Sequence, residues 1–354
     1  MPRRIAVVAA SLDILGGQGV QAQALLEALR AEGWTAALLP VNPRFPGRLQ
    51  ALRRWPYLRT ALNQALYLPS LRRLAGCDVV HAFSASYWSF LLAPVPAMLA
   101  GRALAKRVIL HYHSGEAEDH LARWGALVHP WLRLAHEIVV PSEYLRGIFA
   151  RHGYRVRVIR NVVETGRFAY RERRPLRPRL LSARNLEAHY RVDDVLRAFA
   201  QVRRVHPAAT LTVAGYGSQE GRLRRLAQEL GPAGVRFVGR VEPERMPALY
   251  AAADVFVNAS VVDNQPVSVL EAFAAGLPVI STATGDIPAM AGDGEAALLV
   301  PQRDPAALAA AVLRLLAQPE LALRLARRGR EEAARFAWPR VRGDWASVYE
   351  GVAA

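Results

Sequence analysis

The sequence predicts an α/β protein made of two doubly wound domains, each with a parallel sheet covered by helices. Three observations predict this class. Apolar runs of strand length alternate with longer helical patterns, the chain has 354 residues, and 52% of them are hydrophobic. A chain of this length can form two cores. Continuous apolar strands joined by helices are typical of parallel sheets, whose ligands bind outside the carboxyl ends of the strands.

Apolar runs predict the strands of both sheets, and a polar segment separates the two series. The first series covers residues 5–10, 79–81, 108–113, 138–140 and 156–159, and the second covers 180–182, 211–214, 235–238, 255–258, 279–281 and 297–300. Between them, the stretch 169–178 is charged, contains prolines and lacks a hydrophobic period. We therefore predict a first domain over residues 1–168, a linker over 169–178, a second domain over 179–335 and a C-terminal helical segment over 336–354.

The composition excludes several classes of protein. Cys77 is the only cysteine, which rules out an internal disulfide and a cysteine-based zinc cluster, so we expect a reducing, cytoplasmic location. No window approaches the roughly 18 uninterrupted apolar residues of a membrane span. The apolar stretch after Arg3 and Arg4 is too short for a signal peptide and fits a first buried strand. Nucleic acid is not expected as a partner, because no reading module such as a helix-turn-helix is present.

Basic residues concentrate in one part of the predicted first domain. The net charge is +16, Lys106 is the only lysine among 46 basic residues, and no acid lies between Glu32 and Asp78. Within residues 44–73, arginines alternate with aromatic residues and leucines. They are Arg44, Arg48, Arg53, Arg54, Arg59, Arg72 and Arg73, with Trp55, Tyr57 and Tyr67. Such a stretch suits an anionic membrane surface or an acidic acceptor, and is equally typical of a solvated helix face in an arginine-rich protein.

The most informative segment lies between residues 262 and 282, where two acids flank a predicted helix start. Seven residues separate Asp263 from Glu271. Pro266 suits the first position of a helix because its missing N–H is not needed there. A Gly-Leu-Pro sequence marks the end, so we predict a helix over 266–276. Glu271 then lies about 7.5 Å along the helix axis from Pro266, and both carboxylates can face one crevice.

The start of this helix adds backbone donors. The N–H groups of Val267 and Ser268 have no partner within a helix, and a helix N-terminus favours an anionic group such as phosphate. Carboxylates for hydroxyl groups beside amides for phosphate indicate a nucleotide sugar. Taken singly, each acid is better explained as a helix-surface or capping residue, so the interpretation depends on the residues that accompany the pair.

The paired acids and the helix between them resemble the corresponding segment of family 4 glycosyltransferases, which are retaining enzymes with the GT-B fold. Relatives begin the segment with Glu and a glycine-rich sequence, whereas this chain has Asp263, Asn264, Gln265 and Pro266. The resemblance covers essentially the whole chain and is most specific around 254–288. It implies two doubly wound domains facing across a cleft, the first holding the acceptor and the second the nucleotide sugar, with the C-terminal helix crossing back to the first.

The resemblance also implies roles for individual residues. Asp263 would hold hydroxyl groups of the sugar, Glu271 those of the ribose, and Arg184 with the amides near Val267 the diphosphate. The implied donor-binding residues are Gly16, Gly17, Arg184, Gly215, Gly217, Arg240, Gln265, Pro266, Val267, Ser268 and Glu271, and the implied catalytic residues are His113, Asp263 and Glu271. Neither a metal ion nor a cofactor beyond the nucleoside diphosphate sugar substrate is implied.

Two histidines near the end of strand 108–113 are candidates for the reacting centre. His111 and His113 point to the same side, because side chains alternate along a strand. Family members place a histidine here near the reacting carbon of the sugar. His113, followed by Ser and Gly, matches that position best, and His111 is the second choice. The role would be to position the sugar or the acceptor hydroxyl and to stabilise charge.

Glycine turns follow two of the predicted strands. Gly16 and Gly17 precede a helix, where a turn lets a ligand approach the backbone, and the resemblance places them near the donor phosphates and acceptor. Gly215 and Gly217 do not complete a dinucleotide fingerprint, because Glu220 takes the place of the third glycine. The resemblance implies that they shape the floor of the donor site and that the segment containing Arg240 borders the nucleobase.

The diphosphate site departs from the family pattern. Relatives carry an arginine and, a few residues later, a lysine after the first strand of the second domain. Arg184 supplies the arginine, whereas His189 or Tyr190 occupies the place of the lysine and Arg191 lies just beyond it. Arginine is always charged and suits two phosphate oxygens. Either this chain binds diphosphate differently or the site is impaired.

The resemblance implies transfer of a sugar from a nucleoside diphosphate sugar to an acceptor hydroxyl with the anomeric configuration retained, in glycolipid, lipopolysaccharide or exopolysaccharide synthesis. The expected partners are the nucleotide sugar and an acceptor glycan or glycolipid, with residues 44–73 on the inner face of an anionic membrane. One alternative is a non-catalytic scaffold that binds nucleotide sugar or membrane. The other is a metal-dependent hydrolase, with ligands drawn from His111, His113, Glu116, Glu118, Asp119 and His120.

Overall fold

The computed structural model describes residues 3–352 except Leu12, Ile14, Leu15, Pro232 and Asp293, and excludes the side chains of Arg48, Gln50, Ala51, Arg53 and Pro56. The chain divides into two compact units. The first runs to Val162 and is completed by the residues from Val341 onward, and the second spans Val163–Arg340.

The first unit contains a six-stranded sheet in the order β2-β1-β3-β4-β5-β6. Its strands are β1 (Ile5–Ala9), β2 (Ala36–Pro40), β3 (Val79–Ser84), β4 (Arg107–Tyr112), β5 (Glu137–Val140) and β6 (Arg157–Val158). Its helices are α1 (Gly17–Ala31), α2 (Pro56–Ser70), α3 (Trp88–Leu92), α4 (Pro94–Ala103), α5 (Ala117–Arg123), α6 (Gly125–Leu132) and α7 (Glu143–Arg151).

The second unit contains a six-stranded sheet in the order β12-β11-β10-β7-β8-β9. Its strands are β7 (Arg179–Ala183), β8 (Thr210–Ala214), β9 (Val235–Gly239), β10 (Val255–Asn258), β11 (Val279–Thr282) and β12 (Ala297–Val300). Its helices are α8 (Val192–Val205), α9 (Glu220–Glu229), α10 (Met246–Ala252), α11 (Val267–Ala274), α12 (Ile287–Met290), α13 (Pro305–Ala317) and α14 (Pro319–Ala334). The last helix, α15 (Trp338–Glu350), belongs to the first unit from Val341 onward.

The predicted fold class is confirmed, because every described strand pair in both sheets is parallel. Consecutive residues of one strand pack on opposite faces of the sheet. Leu180 belongs to one hydrophobic cluster of the second unit and Leu181 to another. Burial on both faces explains why the strands read as continuous apolar runs. The strand order reverses between β1 and β3 and between β7 and β10, and ligands of such sheets bind at the carboxyl ends there.

Strand β2 is the element that the apolar runs did not predict. It is only partly buried, ends at Pro40 and forms one edge of its sheet. Proline cannot donate to a ladder and is tolerated on edge strands, so the usual signal of a central strand is missing. The helix predicted over 266–276 is shorter in the structure, where Pro266 is the residue before the helix and not its first member.

The segment predicted as the linker, residues 169–178, lies inside the second unit. Arg173 is buried, and its guanidinium donates hydrogen bonds to the carbonyl oxygens of Tyr250 at 3.0 Å and Ala253 at 3.3 Å. Burial lowers the pKa of Arg173 to about 10. The charge of Arg173, one of those that suggested a solvated linker, is therefore satisfied by main-chain acceptors within the second unit.

Of the described helices, none taken singly is both long and apolar enough to cross a membrane. Only α13 taken together with the stretch Pro319–Glu350, from which it is bent by 104°, meets both criteria.

Candidate functional site

The predicted residues of the second unit gather where the order of its strands reverses. Arg184 directly follows β7, and Asp263 lies in the loop between β10 and α11. Strands β7 and β10 are paired neighbours. Their parallel direction brings the two carboxyl ends, and the residues that follow them, to the same edge of the sheet.

An ion pair joins Arg184 to Asp263, through Nη2 and Oδ2. The second terminal nitrogen of Arg184 donates to the hydroxyl of Ser268 at 3.1 Å, and the guanidinium lies over the ring of Tyr190, 4.1 Å from its centroid. The Nε atom of Arg184 is buried and has no hydrogen-bond partner among the described residues. A buried donor without an acceptor is costly.

Two glycines allow the turn after β8 to lie directly against the Arg184 loop. Gly215 has a φ of +144°, and a Cβ there would lie 2.0 Å from the carbonyl oxygen of Arg184. A Cβ on Gly217 would lie 2.6 Å from the carbonyl oxygen of Leu186. Both positions require glycine for close approach of the two backbones. This contact fixes the position of the Arg184 backbone relative to the turn after β8.

The loop before α11 is held by its own buried polar side chains. Gln265, predicted to bind the donor, is 5% exposed and donates to the carboxylate of Asp286 at 2.9 Å, so its side chain supports the loop. Gly285 packs against the carbonyl oxygen of Asp263, at 2.3 Å from its would-be Cβ. The first two helical residues, Val267 and Ser268, have N–H groups without intrahelical acceptors, next to Arg184.

Glu271 lies on α11 and accepts a hydrogen bond of 2.7 Å from the hydroxyl of Tyr250. The same hydroxyl is 3.1 Å from the carbonyl oxygen of Ser268, whose side chain contacts Arg184. Burial raises the pKa of Glu271 to about 7, although the hydrogen bond from Tyr250 and the positive charge of Arg167 lower it. The two predicted acids are thus connected through Ser268, and the Glu271 carboxyl changes charge near neutral pH.

Two arginines proposed for the donor site are engaged differently. Arg191 takes a left-handed conformation and binds the carboxylate of Asp194 through two hydrogen bonds of 2.9 and 2.8 Å. It therefore does not replace the missing lysine beside Arg184, because its charge stabilises the start of α8. Arg240 is exposed and forms an ion pair with Glu242 at 2.9 Å. Its guanidinium carbon lies 6.0 Å from the centroid of the Tyr216 ring.

Gly16 and Gly17 stand at the start of α1 in the first unit. Gly16 has an extended backbone with φ of −166°, and a Cβ on either residue would meet no atom within 4 Å. Neither the packing of the described chain nor these dihedral angles requires glycine. An open approach to the backbone is what a ligand at this turn would need.

The structure separates the two candidate histidines. His111 is 3% exposed, and its Nδ1 lies 3.1 Å from Nε2 of His81, whose Nδ1 lies 2.9 Å from the Tyr349 hydroxyl of α15. His111 is therefore part of a buried hydrogen-bonded row that joins β4, β3 and α15. Sequence reasoning missed His81, because it lies within an apolar strand and has no motif around it.

His113 lies at the outer end of this row. Its ring stacks on Phe83, with 5.0 Å between centroids, and lies 4.0 Å from the ring of His111. It is partly accessible, unlike His111. Burial of the ring nitrogens lowers the pKa of His113 to about 3, so at neutral pH it offers an uncharged imidazole.

The residues of the alternative metal site are not gathered. Within the described ranges, no three His, Cys, Asp or Glu side chains form a group able to hold a metal ion. Glu118 pairs with Arg151, Asp119 accepts from Tyr87 at 2.5 Å, and His120 lies 2.8 Å from the hydroxyl of Tyr112. The hydrolase hypothesis therefore loses its ligand set.

The basic region around α2 differs from the prediction at one aromatic residue. Trp55 and Tyr57 are 58% and 93% exposed, but Tyr67 is buried and donates to the carbonyl oxygen of Ala93 at 2.6 Å. The exposed arginines of this region are Arg44, Arg54, Arg59, Arg72 and Arg73. The side chains of Arg48 and Arg53 lie outside the described residues.

Two family models match the chain. The model described as Glycosyltransferase Family 4 matches residues 15–167, and the model described as Glycosyl transferases group 1 matches residues 169–332. Together they cover most of both units and every predicted site residue.

Individual relatives resemble this chain in sequence. Glycogen synthase of Mycobacterium tuberculosis is 32% identical over 246 residues, which are 67% of this chain and 59% of that protein. Alpha-monoglucosyldiacylglycerol synthase of Streptococcus pneumoniae is 29% identical over 71% of this chain and 60% of its own length. D-inositol 3-phosphate glycosyltransferase of Corynebacterium jeikeium is 34% identical over 41% of this chain and 36% of its own. The chain thus spans less than two thirds of these relatives.

Solved structures share the fold. HepE of Anabaena, solved in complex with UDP, superimposes with a TM-score of 0.76 and 16% identity over 99% of this chain and 100% of its own. Sucrose-phosphate synthase from Thermosynechococcus elongatus superimposes with a TM-score of 0.77 and 23% identity over 99% of both chains. With the family models matching both units and the fold shared over the whole length, the chain belongs to the family 4 glycosyltransferases of the GT-B fold.

Proposed function

We propose that the protein transfers a sugar from a nucleoside diphosphate sugar to an acceptor hydroxyl with retention of the anomeric configuration. The observation that carries this proposal is the Arg184, Asp263 and Ser268 cluster at the start of α11. It combines a guanidinium with an unsatisfied donor, two helix-tip amides that lack an intrahelical acceptor and a carboxylate. Diphosphate oxygens suit the first two, and sugar hydroxyl groups suit the third.

Glu271 completes the donor site in this proposal. Its carboxylate accepts hydrogen bonds from the ribose hydroxyl groups, for which it must be ionised. The buried Tyr250 hydroxyl orients it. Gly215 and Gly217 form the floor that holds Arg184 in place, and Arg240 at the exposed end of β9 borders the base.

The uncharged imidazole of His113 contacts the reacting sugar or the acceptor hydroxyl. A neutral ring accepts or donates one hydrogen bond without placing a fixed charge beside the oxocarbenium character of the transition state. The leaving phosphate then helps to remove the acceptor proton on the same face, which yields retention. His113 acts here by positioning and not as the sole base.

A panel of UDP- and GDP-sugars tests the proposal. We expect one of them to raise the melting temperature of the purified chain and to be hydrolysed slowly in water or transferred to an added acceptor. Asp263→Ala and His113→Ala should abolish turnover, and the anomeric protons of the product should show the configuration of the donor by NMR. Failure of every nucleotide sugar to bind, or turnover that survives both substitutions, would refute it.

A second candidate is a non-catalytic subunit that binds nucleotide sugar. It is favoured by one observation, namely that Arg191 is bound to Asp194 and supplies no second cation beside Arg184. In the same panel this candidate gives a thermal shift that depends on Arg184 but no hydrolysis or transfer with any acceptor.

The acceptor class and the location are part of the same proposal. The relatives are named for glycogen, inositol phosphate and a glucosyldiacylglycerol, and we propose that this chain acts in the synthesis of a cell-envelope glycan or glycolipid. We further propose that it works in the cytoplasm, where its buried thiol Cys77 stays reduced, with the outer face of α2 on an anionic membrane surface. Tyr57 and Leu58 on that face are exposed beside Arg59.

A further inference from the structure

The guanidinium of Arg184 has a neighbour on each of three sides. Its Nη2 atom pairs with Oδ2 of Asp263, its Nη1 atom donates to the hydroxyl of Ser268 at 3.1 Å, and one face lies over the ring of Tyr190. The Arg184 and Asp263 side chains are only 9% and 10% exposed, so the two charges are largely withdrawn from water. Of the three neighbours, only Asp263 carries a charge opposite to that of Arg184.

The side chain of Asp263 can leave Arg184 without a movement of the backbone. The residue lies in the loop between β10 and α11, where its carbonyl group packs against Gly285. Its other carboxylate oxygen, Oδ1, accepts a hydrogen bond of 3.1 Å from the N–H of Asn264. An aspartate side chain turns about two bonds. Its carboxylate is therefore an exchangeable anion on a fixed loop.

A phosphate oxygen and a carboxylate oxygen bind a guanidinium in the same way. Both are anionic acceptors that take paired N–H groups in the plane of the guanidinium. A diphosphate that approaches Arg184 therefore meets the Asp263 carboxylate at the N–H groups that it needs. Two anions side by side repel each other, and more strongly where water is excluded. Binding of a diphosphate to Arg184 thus releases Asp263.

The released carboxylate has a partner in one ligand and lacks it in another. Removing one partner of a buried ion pair is costly, because the charge that remains is uncompensated. A sugar attached to the diphosphate brings hydroxyl groups, which donate charge-assisted hydrogen bonds to a carboxylate. A nucleoside diphosphate has no such sugar. The intact nucleotide sugar therefore compensates the loss of the ion pair at Asp263, and the nucleoside diphosphate does not.

We infer that Asp263 makes the donor site selective for the intact nucleotide sugar over the nucleoside diphosphate, because it competes with the diphosphate for Arg184 unless a sugar engages it. After transfer the carboxylate returns to Arg184, which favours release of the nucleoside diphosphate product. The inference rests on the proposed transferase function and deepens it by naming the residue that sets the preference for substrate over product.

Binding of diphosphates to the full-length protein tests the inference. The probes are inorganic pyrophosphate, UDP, GDP and the nucleotide sugar that binds, titrated by calorimetry without divalent metal ions. Asp263→Asn removes the charge and keeps the size of the side chain. It should bind pyrophosphate and the nucleoside diphosphate at least about fivefold more tightly than the wild type, and its preference for the nucleotide sugar over the nucleoside diphosphate should fall at least about tenfold. Diphosphate binding that is no tighter, or an unchanged preference, would overturn the inference.

Two controls separate competition for Arg184 from a general loss of negative charge. Glu187→Gln removes one charge from the loop that follows Arg184, where the carboxylate accepts hydrogen bonds from Ser218, and should change pyrophosphate binding by less than about twofold. In the Arg184→Met background, Asp263→Asn should no longer tighten pyrophosphate binding, because the two substitutions act on one interaction. A similar gain in Glu187→Gln, or a gain that persists without Arg184, contradicts the inference.

Hydrogen exchange of the wild-type protein provides the readout if Asp263→Asn does not fold. The N–H of Asn264 donates to the Asp263 carboxylate, and amide exchange reports local opening. Pyrophosphate should speed exchange at Asn264 by at least about threefold relative to the protein with the nucleotide sugar, because only the sugar holds the released carboxylate in the site. Equal or slower exchange with pyrophosphate would count against the competition.

The outcome is separable from that of the transferase proposal. If nucleotide sugars bind without turnover and Asp263→Asn still shows both changes, the transferase proposal fails and the selectivity stands. If the wild type transfers sugar but Asp263→Asn binds diphosphates no more tightly, the selectivity fails and the transferase proposal stands. Absence of binding of every diphosphate and nucleotide sugar to both proteins refutes both.

Discussion

Arg184 and Asp263 form an ion pair whose side chains are only 9% and 10% exposed, although the residues lie 79 positions apart in the sequence. Removing one partner of such a pair leaves the other charge buried, at a cost of about 3–5 kcal/mol, whereas removing both costs less. We therefore expect Arg184→Met and Asp263→Leu each to destabilise the protein by more than the double variant does.

Urea unfolding of the two single variants and the double variant measures this coupling, for which about 1–3 kcal/mol is expected. Additive single effects would show that the pair is not coupled. Nucleotide-sugar affinity should fall in Arg184→Met, because the diphosphate loses its guanidinium.

The raised pKa of Glu271, about 7, predicts opposite effects of pH on stability and on donor binding. A carboxyl whose pKa is higher in the folded than in the unfolded state contributes stability below its ordinary value of 4.5, and that contribution is lost as pH rises through 7. Between pH 5 and pH 8, the wild type should therefore lose on the order of 1–3 kcal/mol relative to Glu271→Gln.

Donor binding should change in the other direction, because ribose hydroxyl groups need the ionised carboxylate. The affinity of a nucleoside diphosphate sugar, which does not titrate in this range, should rise up to about tenfold from pH 6 to pH 8 in the wild type. In Glu271→Gln it should be weak and independent of pH. A flat wild-type profile would contradict the assignment.

Two histidines of the first unit, His81 and His113, predict sensitivity to acid. Burial lowers the pKa of His81 and of His113 to about 3, so the unfolded chain takes up protons at these residues below about pH 6.5 while the folded chain does not. The contribution of each histidine to the free energy of unfolding is fully present above pH 6.5. It is lost as pH falls towards 3, by up to about 1.4 kcal/mol per pH unit for each histidine.

Tryptophan fluorescence can follow the unfolding of the first unit, because the second unit contains only Trp338 and the other tryptophans of the sequence belong to the first unit. His81→Phe should be less stable than the wild type at pH 7, since Tyr349 and His111 lose their partner. Its stability should fall less steeply between pH 7 and pH 5. Parallel pH profiles of the two proteins would show that His81 is not the titrating group.

Gly215 and Gly16 should respond differently to the same substitution. Gly215→Ala places a Cβ 2.0 Å from the carbonyl oxygen of Arg184 in a conformation with positive φ, and should lower stability by about 1–3 kcal/mol and weaken donor binding. Gly16→Ala meets no atom within 4 Å, so its unfolding free energy should stay within about 0.5 kcal/mol of the wild type. Transfer should nevertheless fall if a ligand lies against this turn. A destabilised Gly16→Ala would indicate a purely structural glycine.

The basic region around α2, residues 44–73, is predicted to bind anionic membranes. Vesicles that contain phosphatidylglycerol should sediment the protein, and salt should weaken the association, because exposed charges are screened over roughly 10 Å at 0.1 M. Arg59→Glu together with Arg72→Glu should reduce binding by more than Arg324→Glu, an exposed control in the second unit. Equal binding to neutral vesicles would contradict an electrostatic contact.

Sequence reasoning predicted the site as a set of residue types and missed several of their partners. Tyr250 lies on a helix with no motif, yet it holds Glu271. Arg191 matched the missing lysine in charge and approximate position, but the nearby Asp194 binds it. Gln265 lies in the motif, but its side chain donates a hydrogen bond to the buried Asp286. In each case the deciding contact depends on a residue whose proximity is set by packing, which a linear pattern does not encode.

The sequence by itself determined the two parallel sheets, the acidic pair around α11 and the glycine turns, because strand burial, helix starts and backbone freedom are local properties that leave a pattern in a single stretch of chain. Only the tertiary structure decided that Arg184 meets Asp263, that His113 lies on Phe83, and that Ser268 contacts the same guanidinium as Asp263. These relationships depend on strand order and on which carboxyl ends become neighbours, and that order is fixed by the packing of the whole unit.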